Sequence, residues 1–307
     1  MSLNLGARLT YYGHSTFLIT TDDGVNILLD PWIWIPNRHD GGMNNPSCPE
    51  GFQPIESLQA ILITHGHFDH IVDALYAYEQ HHPEALVVNW EIGEWFKTKG
   101  IPEETVRQMN KGGTQDVCGL SVTMVHAFHS SSMIDEAGTV YGGEPCGFVV
   151  GFPSGKKLYC AGDTAVFSDM ALIAELYEPD VALLPIGDLF TMGPREAAKA
   201  CELLKTSTVV PIHYGTFPPL TGTPEALRKE CAARGVDVQV VEVILTITDA
   251  AAERLRAVLI EEAGEDLVLV ISTLRTKKGR PKLVDACSLP LTGVGCVNRV
   301  VTDVGVF

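Results

Sequence analysis

Three histidines and one aspartate lie within six consecutive positions, residues 65–70, directly after the apolar run AILIT at residues 60–64. Packing gives no reason for this, because imidazoles and carboxylates so close together lose solvation and repel one another on protonation unless a cation holds them. At a turn from strand to helix, His65 and His67 can converge on one point while Asp69 and the next histidine turn towards a second. A solvated histidine-rich loop is the alternative, but it suits an isolated HxH better than HxHxDH behind a buried strand. The motif therefore predicts two neighbouring metal sites at a strand end.

The charge of the chain restricts its partners. The 307 residues carry a net charge of −16, and the sequence pI is about 5.0. A broad basic face for nucleic acid is therefore not expected, and neither is attraction to an anionic membrane surface. We expect a small-molecule substrate, and the pattern leaves open whether the chain forms a homo-oligomer.

The chain shows no targeting or membrane-spanning pattern. Residues 1–7 contain no basic segment followed by an apolar run, and no uncharged apolar run reaches the roughly 18 residues of a transmembrane helix. The eight cysteines are scattered without a CxxC pair, so they are expected to be free thiols. These features predict a cytoplasmic protein.

The order of the predicted elements defines a fold class. Three short β-branched and aromatic runs around turn signals predict an antiparallel meander at the start, and apolar strands then alternate with helical periodicity. The predicted strands are 8–12, 16–20, 25–29, 60–64, 85–89, 120–125, 146–152, 157–161, 180–185, 208–212 and 236–243, and the predicted helices are 69–82, 91–99, 168–176, 194–205 and 223–234. This order predicts an α/β protein, a four-layer αβ/βα sandwich of two mixed β-sheets flanked by helices.

Residues 32–54 form a long segment without hydrophobic period, directly after a strand end. A loop of this length is usually functional or mobile. We interpret it as a lid over the site, with a passive insertion as the alternative.

The HGHFDH motif resembles the signature of the metallo-β-lactamase superfamily. Six further segments are similar to the UPF0173 metal-dependent hydrolases, a group close to the ascorbate-6-phosphate lactonases. These segments are YYGHSTF (11–17), ILLDP (27–31), AFHSS (127–131), AGDT (161–164), LPIGD (184–188) and PIHYG (211–215), in the family's order. The resemblance spans about residues 8–243 and implies a metallo-β-lactamase-like fold with a C-terminal extension.

The resemblance also implies a role for each matched metal-binding position. His65, His67 and His129 would bind a first metal ion, Asp69, His70 and His213 a second, and Asp163 would bridge the two. His126 lies three positions before His129 and is the alternative ligand, but the Phe-His-Ser-Ser pattern favours His129.

Four further expectations concern residues around these ligands. Asp69 and His14 are the candidate catalytic residues, and a plain turn residue is the alternative for His14. Asp30 ends a strand beside the site and is expected to orient a ligand imidazole, because ligating histidines usually donate their other N–H to a carboxylate or carbonyl. Asp188 is a further candidate for the same role.

The predicted chemistry is metal-dependent hydrolysis. Two divalent ions can hold a bridging hydroxide at neutral pH, because coordination lowers the pKa of water to about 7. The expected cofactors are two ions of zinc, with manganese, iron or nickel as alternatives, and the expected reaction cleaves an ester, lactone or phosphoester bond in a small metabolite. The alternatives are a nuclease or phosphodiesterase of the same fold and a non-catalytic protein with a vestigial metal site.

The sequence changes character near residues 244–248, which predicts a hydrolase domain at 1–243 and an extension at 244–307. Residues 280–284, 287–297 and 301–307 resemble the C-terminal tail of the B subunit of the 3-oxoacid CoA-transferases. The part of that family that carries the catalytic glutamate has no counterpart here, so we infer no transferase activity.

Overall fold

The structure, a computed structural model, describes residues 5–38, 42–48, 55–136 and 138–242, and beyond these only the backbone of four short strands. The chain divides into two units, residues 1–243 and 244–307. Each unit is described by itself below.

The first sheet begins as an antiparallel meander and continues as parallel strands. In order across the sheet, its strands are β1 (Ala7–Gly13), β2 (Thr16–Thr21), β3 (Asn26–Leu29), β4 (Ala60–Leu62), β5 (Ala85–Asn89) and β6 (Val106–Met109). The turn predicted at residues 21–24 closes through a hydrogen bond from the Thr21 amide to the Val25 carbonyl, at 2.9 Å. Strands β1 to β3 pair antiparallel, and β3 to β6 pair parallel.

The second sheet is also mixed. Its strands are β7 (Thr114–Val117), β8 (Leu120–His126), β11 (Cys146–Gly151), β12 (Lys157–Cys160), β13 (Val181–Pro185), β14 (Thr208–Ile212) and β15 (Gln239–Val240). They lie in the order β15-β14-β13-β12-β11-β8-β7, with β12 to β15 parallel and the others antiparallel. A separate antiparallel hairpin consists of β9 (Ser132–Asp135) and β10 (Gly138–Tyr141).

Helices cover the outer face of each sheet. They are α1 (Phe68–Ile71), α2 (Ala74–His81), α3 (Trp90–Thr98), α4 (Met170–Tyr177), α5 (Pro194–Leu204) and α6 (Pro224–Arg234). Apolar residues of α1 to α3 pack against the first sheet, those of α4 to α6 pack against the second, and a third buried cluster fills the space between the sheets. The predicted four-layer αβ/βα sandwich is therefore confirmed. In the part of the chain that the structure describes, no helix is long and apolar enough to cross a membrane.

The predicted helix 69–82 was wrong as a single element, because the structure breaks it into α1 and α2. Asp73, between them, is fully buried. Its carboxylate accepts a hydrogen bond from the Ile33 amide at 2.7 Å and pairs with Arg38, while its own amide donates to the Pro31 carbonyl. These bonds connect the loop after β3 to the α1–α2 turn. The spacing of apolar residues in the sequence does not reveal them.

The described part of the second unit contains two short antiparallel pairs. Strand β16 (Leu274–Lys277) pairs with β17 (Arg280–Leu283), and β18 (Ala286–Ser288) pairs with β19 (Val297–Arg299). Most of the segment that resembles the CoA-transferase tail lies outside the described residues, so that interpretation stays a prediction.

Candidate metal centre

All seven predicted metal ligands meet at one end of the two sheets, and His14 joins them. They come from segments that follow different strands: 65–70 follows β4, His129 follows β8, Asp163 follows β12 and His213 follows β14. His14 lies in the β1–β2 turn. The sandwich thus gathers residues that are distant in the sequence at one strand-end surface.

The first set of donor atoms consists of His65 Nε2, His67 Nδ1 and His129 Nε2. His67 Nδ1 lies 3.0 Å from His65 Nε2 and 3.3 Å from His129 Nε2. Oδ2 of Asp163 lies 4.0 Å from His65 Nε2 and 3.7 Å from His129 Nε2. Ligands at 2.0–2.1 Å around a tetrahedral zinc lie about 3.3 Å from one another, so His67 has this spacing to the other two imidazoles, whereas the Asp163 oxygen lies further from them.

The second set lies near both carboxylate oxygens of Asp163. His70 Nε2 lies 3.3 Å from Asp163 Oδ1, and His213 Nε2 lies 3.1 Å from Asp163 Oδ2. Oδ2 of Asp69 lies 3.7 Å from His70 Nε2 and 3.4 Å from His213 Nε2. Asp163 therefore contacts both sets, and the residues can hold one or two metal ions.

Two buried polar atoms at the centre lack hydrogen-bond partners in the described part of the chain, as expected for atoms that bind a metal ion. His70 Nε2 and Asp163 Oδ1 are buried and have no hydrogen-bond partner within the described residues, although they face each other. Burial acts to raise the pKa of Asp163, but the charges of His213 and His70 hold it well below its usual value. Burial acts to lower the pKa of His213, but Asp163 raises it to about 9. Protons on these imidazoles thus offset the buried carboxylates, a role that divalent ions take over when they bind.

Asp30 orients His70, as expected from the sequence. Its Oδ2 accepts a hydrogen bond from His70 Nδ1 at 2.8 Å, and its two carboxylate oxygens accept from the amide and the hydroxyl of Thr64, each at 2.8 Å. The carboxylate is almost fully buried. Because the hydrogen bond to Asp30 engages Nδ1 as a donor, Nε2 of His70 is the nitrogen that remains to bind a metal ion of the second set.

We predict that Asp30→Asn weakens metal binding by about 10–100-fold, the usual cost of losing an outer hydrogen bond to a ligating histidine. The backbone at Asp30 is left-handed, at φ 46°, and asparagine tolerates this conformation. Competition titration with a fluorescent zinc chelator measures the affinity.

The matched control is Asp188→Asn. Asp188 also follows a strand at this edge and also has a left-handed backbone, at φ 68°. Its exposed carboxylate accepts from the amide of Leu189 at 2.8 Å, so the predicted role in orienting a ligand imidazole was wrong for this residue. Equal losses of affinity in Asp30→Asn and Asp188→Asn would contradict the role of Asp30.

His14 is fully buried and bridges the centre to two loops. Its Nε2 lies 2.8 Å from Asp69 Oδ2, and its Nδ1 lies 2.9 Å from Thr216 Oγ1. The hydroxyl of Ser47 donates to Thr216 at 3.0 Å. Burial and the charge of His213 lower the pKa of His14 to about 4, so its ring is neutral near pH 7. Since a carboxylate only accepts, Nε2 carries the proton and Nδ1 accepts from Thr216.

The structure separates His126 from the ligand sets. His126 ends β8, lies 3.2 Å from the Lys111 ammonium through Nδ1 and packs edge-on against Phe167. His129 enters the first set instead, as predicted. Thr64 and Thr216 were not anticipated, because a threonine hydroxyl beside a ligand leaves no pattern in a single sequence.

The long loop after β3 borders the centre where the structure describes it. The indole of Trp32 is fully buried and lies edge-on to His14, with ring centroids 5.2 Å apart. Asn45, also fully buried, donates to the carbonyls of Trp32 and Gly13. Residues 39–41 and 49–54 lie outside the described residues, so the lid interpretation stays a prediction.

The sequence of this chain is similar to those of known proteins. A family model described as a β-lactamase superfamily domain matches residues 25–214. A UPF0173 metal-dependent hydrolase from Koribacter versatilis is 48% identical over 224 residues, which are 73% of this chain and 91% of the relative. A second from Rubrobacter xylanophilus is 50% identical over 236 residues, 76% of this chain and 93% of the relative.

A solved structure agrees with these relatives. Igni18, a metallo hydrolase from the archaeon Ignicoccus hospitalis, matches with a TM-score of 0.64 and 34% identity over 78% of this chain and 96% of its own. These matches agree with the sequence motifs, with the sandwich fold and with the cluster at its strand ends. The chain therefore belongs to the UPF0173 metal-dependent hydrolase family of the β-lactamase superfamily.

Proposed function

We propose that this chain is a dinuclear metal hydrolase that cleaves an ester, lactone or phosphoester bond in a small metabolite. The observation that carries the proposal is the position of Asp163, whose carboxylate touches both sets of donor atoms. In this proposal His65, His67 and His129 hold one ion, Asp69, His70 and His213 hold the other, and Asp163 bridges them. The ions are zinc in the first instance, because imidazole predominates among the donors.

Ions held by these residues would supply Lewis acidity and would lower the pKa of a water molecule so that it could act as the nucleophile at neutral pH. The protein groups then fix the geometry of the site. Asp30 holds the ring of His70, and His14 holds Oδ2 of Asp69. His14 was a candidate catalytic residue, but its contacts support a positioning role, because both ring nitrogens are already engaged.

The relatives and the charge support the same proposal. The curated relatives at 48% and 50% identity are named metal-dependent hydrolases, and a net charge of −16 favours a small substrate over nucleic acid. No serine or cysteine nucleophile is needed, because water activated by the bound metal ions would be the attacking group.

A screen of lactones, carboxylic esters, thioesters and phosphodiesters tests the proposal, with protein loaded in turn with zinc, manganese, iron and nickel. We expect close to two ions per chain by plasma mass spectrometry and metal-dependent turnover of at least one class. Less than one ion per chain in carefully prepared protein would support a vestigial site instead.

A further inference from the structure

Two exposed phenylalanines stand directly beside metal-centre residues in the sequence. Phe68 lies between His67 and Asp69 and is 45% exposed, and Phe128 precedes His129 and is 63% exposed. The loop of Phe128 is fixed beside the centre, because its amide donates to the hydroxyl of Thr164 at 3.0 Å. The two segments that carry these rings are therefore held next to the centre, while the rings themselves stay outside the core.

The centre keeps solvent access at three of its candidate ligands, which together mark its open side. The side chains of His129 and Asp69 keep 13% and 12% exposure, and His67 is half-buried, whereas His65 and His70 are fully buried. The partly exposed candidate ligands are therefore the direct sequence neighbours of the two exposed phenylalanines.

Two further aromatic rings form a cluster with Phe68: Phe217, which keeps some exposure, and Trp32, which is fully buried and lies behind the other two. Trp32 lies edge-on to Phe68, with centroids 5.5 Å apart, and stacks on Phe217, with centroids 5.7 Å apart at 22°. Phe217 is half-buried and lies 6.0 Å from the ring of His14. We call Trp32, Phe68 and Phe217 the aromatic wall. It borders the centre on the side of the second donor set.

The loop after β13 adds two more exposed apolar side chains at this end of the sheets. Leu189 and Phe190 are 63% and 59% exposed. Their loop is tied to the Asp163 segment by a hydrogen bond from the Met192 amide to the Thr164 carbonyl, at 3.2 Å. Single exposed apolar residues are normal, but a group of them around one site marks a binding surface.

We propose that the substrate carries an uncharged apolar group, an alkyl chain or a ring, that packs against the aromatic wall while its scissile carbonyl faces the metal centre. This inference rests on the proposed function and narrows it to carboxylic esters or lactones with an apolar acyl part. An apolar group should bind best to an aromatic surface beside the open side of the centre, because each methylene that is buried increases the affinity by up to about fourfold.

Calorimetric titration of zinc-loaded protein with acetate, butyrate, hexanoate and octanoate tests the inference without relying on turnover. These carboxylates are product analogues that differ only in chain length. We expect the dissociation constant to fall with each added methylene, by up to about fourfold. In Phe68→Ala and Phe217→Ala we expect acetate to bind as before and octanoate to lose most of its advantage.

Leu176→Ala is the matched control, because Leu176 is 64% exposed on the outer helix α4. It should keep the full dependence on chain length. The inference would be overturned if the unaltered protein bound all four carboxylates equally well. It would also be overturned if both phenylalanine variants kept the full dependence on chain length. Neither result would affect the proposed metal hydrolase activity. Failure of the protein to bind zinc would instead remove the proposed function.

Discussion

Replacing Asp163 by alanine is expected to abolish turnover and to remove both metal ions at stoichiometric concentrations. Asp163 is 3% exposed, and its carboxylate lies within 4.0 Å of donor atoms in both sets. Its loss takes a charged ligand from each ion at once and leaves protonated imidazoles in a buried position. The loss of affinity should therefore exceed the roughly 10–100-fold that follows from removing an outer hydrogen bond. Metal content and turnover are measured on the same preparation.

His67→Ala provides the comparison for this prediction. His67 belongs to the first donor set and is half-buried at the open side. This variant should lose one ion, retain the other and lose turnover, whereas Asp163→Ala loses both ions. If Asp163→Ala kept two ions per chain, Asp163 would not be a bridging ligand, and turnover in both variants would show that the assigned site is wrong.

Removing the metal should lower the melting temperature strongly. Asp30, Asp69 and Asp163 are buried within one small volume, and bound cations compensate their charges. An ion present at about 1,000 times its dissociation constant stabilises the folded state by about 4 kcal/mol. For a domain of this size each kcal/mol corresponds to about 2–4 °C, so two ions should raise the melting temperature by roughly 15–30 °C.

Differential scanning calorimetry of metal-free and zinc-loaded protein measures this difference. The Asp163→Ala variant is the control, because zinc should leave its melting temperature almost unchanged. Equal melting temperatures of the metal-free and the zinc-loaded forms of the unaltered protein would contradict a centre that the folded domain holds tightly.

The fold was predictable where hydrophobic pattern and turn residues agree. The meander β1–β3, the apolar strands β4, β5, β13 and β14, and the alternation of strands with helices α4 to α6 follow directly from period and composition. Strands β6 (VRQM) and β7 (TQDV) were not predicted, because half or more of their residues are polar. Their pairing at sheet edges is a tertiary effect.

The candidate metal-binding positions were named from the HGHFDH motif and the family resemblance, and the structure brings their side chains together because strand ends meet at one edge of a sandwich. The contacts around them were not predictable. The hydrogen bonds of His14 to Asp69 and Thr216 depend on a left-handed backbone at His14, at φ 57°, which histidine adopts only in particular surroundings. The aromatic wall joins residues from three separate segments, two loops and the start of α1, so its rings had no common signal in the sequence.

The hydrogen bond between the backbones of His14 and His213 has a consequence for folding kinetics. The His213 amide donates to the His14 carbonyl at 2.8 Å, so the β1–β2 turn must meet the end of β14 before the centre is complete. Contacts between such distant segments form late, because closing the intervening chain costs entropy. Bound ions therefore stabilise interactions that are absent from the folding transition state. They should slow unfolding and leave the rate of folding nearly unchanged, which gives the loaded protein a long native lifetime.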